Sequence, residues 1–137
     1  MEQKNSKGKV LVIDDDPDFH KVISIILESG SYSVVSAINP KEGREKLLTE
    51  KPDLVLLDIM MDSIFDGFSL CHDIKTSAEF QEFKNTPIIF CSAVKKQSGS
   101  RFDFDPGAQG LVGPDDYIDK PVQSEDLLAR VAKFLKN

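Results

Sequence analysis

Residues 10–17 read VLVIDDDP, and this stretch decides the fold. Four consecutive aliphatic residues, three of them β-branched, are typical of a buried β-strand, and the run stops abruptly at Asp14. Asp16 followed by Pro17 matches a helix N-cap and the first helical position. The stretch therefore predicts a buried strand that ends in acidic residues and leads directly into a helix.

The same strand and helix unit recurs along the chain. Further strands are predicted at residues 32–37, 54–57, 87–91 and 117–119. The helices that follow are predicted from Pro17 to Gly30, from Asn39 and Pro40, from Gly67 after a loop at 59–66, and from Ser124 as the cap of the last one. Residues 95–116 should hold the remaining crossover helix, although glycines and prolines interrupt them. Strands alternating with helices predict a doubly wound α/β fold, a parallel sheet with helices on both faces.

Composition restricts the function. A chain of 137 residues is one domain, which we place at residues 9–137 after a disordered segment 1–8. A net charge of -6 disfavours nucleic acid as a partner. No apolar run is long enough to cross a membrane and the N-terminus has no signal-peptide core, so we expect a cytoplasmic protein. Cys71 and Cys91 are too few for a disulfide framework and are expected to be reduced.

Chemically useful side chains follow four of the predicted strands. They are Asp14 and Asp15, Asp58, Ser92, and Lys120. In doubly wound sheets ligands bind at the carboxyl ends of the strands, so these side chains should converge. Three carboxylates together need a compensating cation, and hard oxygen ligands favour Mg²⁺. Beside Mg²⁺ and the Lys120 ammonium, a carboxylate can attack a phosphoryl group, and Asp58 is the best nucleophile because it stands apart from the acid pair.

This pattern resembles the receiver domains of two-component response regulators. The matching features are an acid pair after strand one, Asp58 after strand three, Ser92-Ala93 after strand four and Lys120-Pro121 after strand five. The resemblance extends over residues 10–135. It implies a flavodoxin-like five-stranded parallel sheet of strand order 2-1-3-4-5. The function that it implies is a phosphoacceptor switch rather than an enzyme.

The resemblance also implies a metal site and a source of phosphate. Asp58 would accept a phosphoryl group from a histidine kinase or a histidine phosphotransfer protein. Asp15 would bind Mg²⁺ directly and Asp14 mainly through water, with Asp58 and the backbone carbonyl of Met60 as further ligands. Met61-Asp62 replaces the usual Met-Pro of the family, which leaves the geometry at Met60 open.

Four more positions match the phosphate-binding and switch residues of the family. Ser92 and Ala93 would contact the phosphoryl oxygens, Lys120 would pair with the phosphate, and Tyr117 would turn inward as the Ser92 hydroxyl moves. Such a switch is a shift between two states and is read by a downstream protein target. A homodimer is an open alternative for the signalling form.

Two rival functions have some support in the sequence. Asp14-Asp15-Asp16 is an Asp-x-Asp, similar to the nucleophile motif of haloacid-dehalogenase-type phosphatases, but Asp18 stands where that family usually has Thr or Val. A flavodoxin-type cofactor site would need a Gly- or Ser/Thr-rich loop where this chain is acidic. His20 and His72, on predicted helices, are expected to face solvent.

Overall fold

A computed structural model describes residues 6–58, 64–92 and 112–135, with the side chains of residues 64–66 and 92 outside the description. The five strands are β1 (Lys9–Ile13), β2 (Ser33–Ala37), β3 (Leu54–Asp58), β4 (Ile88–Ser92) and β5 (Asp116–Asp119). They form one sheet of order β2-β1-β3-β4-β5, and each neighbouring pair is parallel. The predicted doubly wound fold and its strand order are confirmed.

Within the described ranges, four helices and a 3₁₀ segment cover the sheet. They are α1 (Pro17–Ser29), α2 (Pro40–Glu50), α3 (Ile64–Thr76), α4 (Ser124–Phe134) and the 3₁₀ segment (Ala78–Phe83). One apolar core lies between the sheet and α1 with α4, and the other lies between the sheet and α2, α3 and the 3₁₀ segment. Helices therefore lie on both faces of the sheet.

The side chains of β1 alternate between the two cores. Val10 and Val12 join the α1/α4 core, and Leu11 and Ile13 join the opposite one. All four are at most 1% exposed. A strand buried on both faces needs an apolar side chain at every position, which explains the unbroken run in the sequence. The first polar residue after it, Asp14, lies where the strand ends.

Two helix starts agree with the sequence in detail. The Asp16 side chain accepts a hydrogen bond from the Asp18 backbone N–H at 3.0 Å, and Asn39 accepts one from Glu42 at 2.8 Å. A proline stands in the first turn of each helix. The N-caps thus fix the direction in which the chain leaves the carboxyl edge of the sheet.

Two other helix starts differ from the prediction. α3 begins at Ile64, inside the predicted loop 59–66, and Gly67 is buried within the helix instead of preceding it. Here burial of the helix against the sheet outweighs the local preference of Gly for a boundary. Ser124 is the first residue of α4 and not its cap, because Gln123 takes the N-cap position without a side-chain hydrogen bond.

Some predicted features fall outside the described residues. Most of the crossover expected at 95–116 does, and its described end, residues 112–115, is not helical. None of the helices in the described ranges combines the length and the apolar character needed to span a membrane.

The N-cap of α2 gives a stability prediction away from the acidic edge. Asn39→Ala removes the acceptor for the Glu42 N–H and should lower the free energy of unfolding by about 1 kcal/mol. Urea denaturation should show an earlier midpoint with an unchanged slope. Asn39→Ser retains a capping oxygen and should remain close to the wild type, and equal losses in both variants would contradict the capping role.

Candidate functional site

Three carboxylates meet at the carboxyl edge of the sheet. Asp14 and Asp15 follow β1, and Asp58 ends β3, the strand paired with β1. One carboxylate oxygen from each lies within 4.8 Å of the others. Asp14 is fully buried and Asp58 is 4% exposed, whereas Asp15 is exposed. The edge therefore carries three closely spaced carboxylates, and Asp15 is the one that is exposed to solvent.

The hydrogen bonds of Asp14 hold it from four sides. Its carboxylate accepts a hydrogen bond from the Asp16 N–H at 2.8 Å and another from the Lys120 ammonium at 2.8 Å. Its backbone N–H donates to the carbonyl of Ala37 at 3.0 Å, and its own carbonyl lies 2.7 Å from Nε2 of His20. Both carboxylate oxygens of Asp14 thus have donors from the protein.

Lys120 supplies the positive charge of the site. Its ammonium lies 2.8 Å from Asp14 and 3.8 Å from Asp58, and it stands 4.2 Å from the centroid of the Phe19 ring. Burial lowers the pKa of Lys120, but the hydrogen bond to Asp14 and the nearby negative charges more than offset burial, so its pKa is raised. Lys120 therefore remains a cation at neutral pH.

His20 contradicts the expectation of a solvent-facing side chain. It is only 9% exposed and lies on the buried stripe of α1 with Ile23 and Leu27. The signal in the sequence is the spacing of three residues from His20 to Ile23 and seven to Leu27, which places His20 on the same face of the helix. His72 is half-buried, and its Nδ1 accepts a hydrogen bond from the Val112 N–H at 3.0 Å.

The acidic cluster fits a hard divalent cation. Three carboxylates face one ammonium, so the charge of the four groups is negative and a Mg²⁺ ion would offset the repulsion. Mg²⁺ usually keeps several waters and takes one or two carboxylates, a demand that Asp15 and Asp58 can meet. Both carboxylate oxygens of Asp14 are already engaged by protein donors.

The remaining predicted residues are described in part. Tyr117 on β5 is half-buried, and its ring packs edge-on against Phe90 with centroids 5.7 Å apart. The backbone of Ser92 ends β4 in register with Asp119. Met60, Ala93 and the side chain of Ser92 lie outside the described residues, and their predicted roles remain predictions.

The two cysteines are buried structural residues without a role in this chemistry. Burial raises the pKa of the Cys71 thiol and of the Cys91 thiol to about 12, well above the usual range. Both are free. A thiol that stays protonated at neutral pH is a poor nucleophile and a poor metal ligand.

Comparison with known proteins relates the chain to one family. The model of the response regulator receiver domain matches residues 10–132. The chain is 32% identical over 131 residues to Protein PilG of Pseudomonas aeruginosa, covering 96% of this chain and 90% of PilG. It is 32% identical over 128 residues to the DNA-binding dual master transcriptional regulator RpaA of Synechocystis, covering 93% of this chain. It spans about half the length of RpaA (49%).

Solved structures give the same result. The Francisella response regulator 1452 receiver domain aligns with a TM-score of 0.72 and 29% identity, covering 94% of this chain and 97% of that one. The BeF3-activated N-terminal receiver domain of Klebsiella pneumoniae RstA aligns with a TM-score of 0.73 and 29% identity, covering 94% and 99%. In both cases the likeness extends over 94% of this chain.

Repulsion between the carboxylates of Asp14, Asp15 and Asp58 should lower the free energy of unfolding of the metal-free protein. In the absence of divalent metal, Asp58→Asn should raise the free energy of unfolding by about 1 kcal/mol, because it removes one of three neighbouring carboxylate charges. Mg²⁺ should then stabilise the wild type more than the variant. Glu28→Gln, which changes the net charge equally at an exposed position of α1, should lack this Mg²⁺ dependence. A destabilised Asp58→Asn protein would contradict the repulsion.

The raised thiol pKa values predict unreactive cysteines in the folded protein. At pH 8 only roughly one thiol in ten thousand would be ionised, so a thiol-specific reagent should modify neither Cys71 nor Cys91. Reactivity should rise only toward pH 12, and both thiols should react at pH 8 after denaturation. Rapid modification of a thiol in the folded protein at neutral pH would show that this cysteine is accessible and ionised.

Proposed function

Because the chain belongs to the response-regulator receiver family, we propose that it is a phosphorylation switch whose acceptor is Asp58. The observation that carries the proposal is the pairing of the buried Asp58 with Lys120 at 3.8 Å beside two further carboxylates. Apart from Asp14, Asp15 and Asp58 themselves, no acid in the described parts of the chain lies in such a cluster of carboxylates. The acceptor assignment follows from this environment and from the family membership together.

Phosphoryl transfer at this edge would proceed by direct displacement. A carboxylate oxygen of Asp58 attacks the phosphorus atom of a phosphohistidine on the partner, the O–P bond forms, and the N–P bond to the histidine breaks with the electron pair leaving on nitrogen. Lys120 neutralises charge on the phosphoryl oxygens during the transfer. A bound Mg²⁺ would supply further electrostatic stabilisation of those oxygens.

The metal ligands are assigned by exposure and hydrogen bonding. Asp15, exposed beside the buried pair, and Asp58 would bind Mg²⁺ directly. The family resemblance adds the backbone carbonyl of Met60 as a further ligand. Asp14 would act through a metal-bound water, because its oxygens already accept hydrogen bonds from Asp16 and Lys120. This arrangement leaves coordination positions for waters and for phosphate, as Mg²⁺ sites require.

The switch would operate through strands β4 and β5. Once Asp58 carries phosphate, the Ser92 hydroxyl and the Ala93 backbone would hold its oxygens, and Lys120 would exchange some of its contact with Asp14 for the phosphate. Tyr117 is the proposed reporter, because its ring packs on Phe90 in the strand that ends at Ser92. The two states differ in contacts that only the phosphate can make.

The partners follow from the family and from the charge of the chain. A histidine kinase or histidine phosphotransfer protein would supply the phosphoryl group, and a downstream protein would read the result, with a homodimer as one form of that readout. RpaA is a DNA-binding regulator, but the net charge of -6 argues against DNA contact by this chain itself. We place the receiver at residues 9–137 and its site of action in the cytoplasm. The chain would act as a substrate and switch, not as an enzyme.

The phosphatase alternative conflicts with the position of Asp14. A nucleophilic first Asp of an Asp-x-Asp must offer an oxygen to the substrate. Asp14 is fully buried, and both of its oxygens accept hydrogen bonds. Asp58 is the better placed nucleophile, so generic ester turnover is not expected.

Intact-protein mass after incubation with acetyl phosphate and Mg²⁺ tests the acceptor. The wild type should gain one phosphoryl group, dependent on Mg²⁺, and Asp58→Asn should gain none. Asp16→Asn is the matched control, because Asn is an equally good N-cap and Asp16 is outside the carboxylate cluster. This control should be phosphorylated at a rate within about twofold of the wild type, since no cluster charge changes.

Each other outcome contradicts a distinct part of the proposal. If the Asp58→Asn protein still gained a phosphoryl group, the acceptor would be another acid, and Asp14 and Asp15 would be tested next. Absence of an adduct in the folded wild type would contradict phosphorylation itself. Loss of the adduct in Asp16→Asn would mean that the geometry of the loop after β1, and not the identity of Asp58 alone, determines the reaction.

A further inference from the structure

We propose that His20 is a positioning residue for the metal site, acting through the backbone of the acid pair. The inference rests on the proposed function, because it concerns the same Mg²⁺ site. His20 contacts neither metal nor phosphate in this proposal. Its role is to fix the peptide group between Asp14 and Asp15, and with it the direction from which Asp15 reaches the ion.

The hydrogen bond of His20 defines its tautomer. Nε2 lies 2.7 Å from the carbonyl oxygen of Asp14, and a carbonyl oxygen can only accept. Nε2 must therefore carry a proton and donate it. The bond is buried and joins α1 to the end of β1, six residues apart in the chain.

A planar peptide transmits this constraint to Asp15. The carbonyl of Asp14 and the N–H and Cα of Asp15 belong to one rigid plane. A hydrogen bond that holds the carbonyl oxygen of Asp14 therefore also restricts the orientation of the Cα–Cβ bond of Asp15. The side chain of Asp15 is exposed, whereas Asp14 is buried. Because packing does not hold the Asp15 side chain, the fold can orient this residue only through its backbone.

The second ring nitrogen shows that packing alone does not explain a histidine here. Nδ1 of His20 is buried and has no hydrogen-bond partner among the described residues. In the neutral imidazole with its proton on Nε2, Nδ1 is a buried acceptor without a partner in the described part of the chain, an arrangement that opposes folding. Its neighbours on the same stripe, Ile23 and Leu27, are apolar and fully buried. A leucine at position 20 would continue that stripe, so the feature that only the histidine adds is the donor to Asp14.

Mg²⁺ affinity measured by titration calorimetry on three variants tests the proposal. His20→Leu removes the donor and should weaken Mg²⁺ binding about tenfold, the lower end of the effect of outer-shell partners in metal sites. His20→Gln retains an N–H donor of similar reach and should stay within about threefold of the wild type. Ile23→Ala damages the same face of α1 without touching the acid pair, and should lose stability while its Mg²⁺ affinity stays within about twofold.

A second measurement does not need the metal. Amide hydrogen exchange at Asp15 and Asp16 in metal-free protein should be faster in His20→Leu than in the wild type and in His20→Gln, because the loop loses its link to α1. Ile23→Ala should show no such selective increase at these two amides.

The outcomes separate the inference from the proposed function. Unchanged Mg²⁺ affinity and unchanged exchange in a folded His20→Leu protein would overturn the positioning role while leaving the metal site intact. If His20→Leu and Ile23→Ala weakened Mg²⁺ binding equally, the effect would reflect a general loss of stability. That result would also overturn the positioning role. A wild type that does not bind Mg²⁺ would overturn the proposed site, and the inference with it.

Discussion

The ion pair between Lys120 and Asp14, 2.8 Å long and largely buried, is the interaction on which the acidic edge depends. A carboxylate that is fully buried is costly unless it is paired and hydrogen-bonded, and Asp14 meets both conditions. The pair joins the ends of β1 and β5, which are separated by two strands of the sheet. It thereby holds a cation close to Asp58, whose carboxylate also faces those of Asp14 and Asp15.

The parallel sheet explains why these residues meet although they are far apart in the chain. Every strand runs in the same direction, so each carboxyl end opens on one edge, and the apolar strands β1 and β3 bring their following acids together in adjacent positions. The two cores keep this edge rigid from both faces. The cost is electrostatic, because the fold concentrates three carboxylates, and among the described residues Lys120 is the one ammonium paired with them.

Features with a local physical signal were predictable from the sequence, and features set by tertiary contact were not. The apolar run before Asp14 and the Asp16-Pro17 cap are local signals, and the strand, its burial and the helix start are confirmed. The convergence at the edge followed from strand direction. The burial of His20 was mispredicted because a polar residue on an apolar stripe gives no sign of its partner, a backbone carbonyl at the end of a strand. The predicted start of the third helix at Gly67 was wrong for a similar reason, because burial of this glycine within the helix outweighs its weak helix propensity.

Adjacent aspartates at the end of one strand thus occupy different physical environments. Asp14 is enclosed, and its hydrogen-bonding atoms face β2, Asp16, His20 and Lys120, so its carboxylate contributes charge and alignment more than coordination. Asp15 is exposed to solvent, and in the proposed site it is the acid that coordinates the ion. In the proposed site a structural acid and a ligand acid are therefore neighbours in sequence, and they differ in burial and not in residue type.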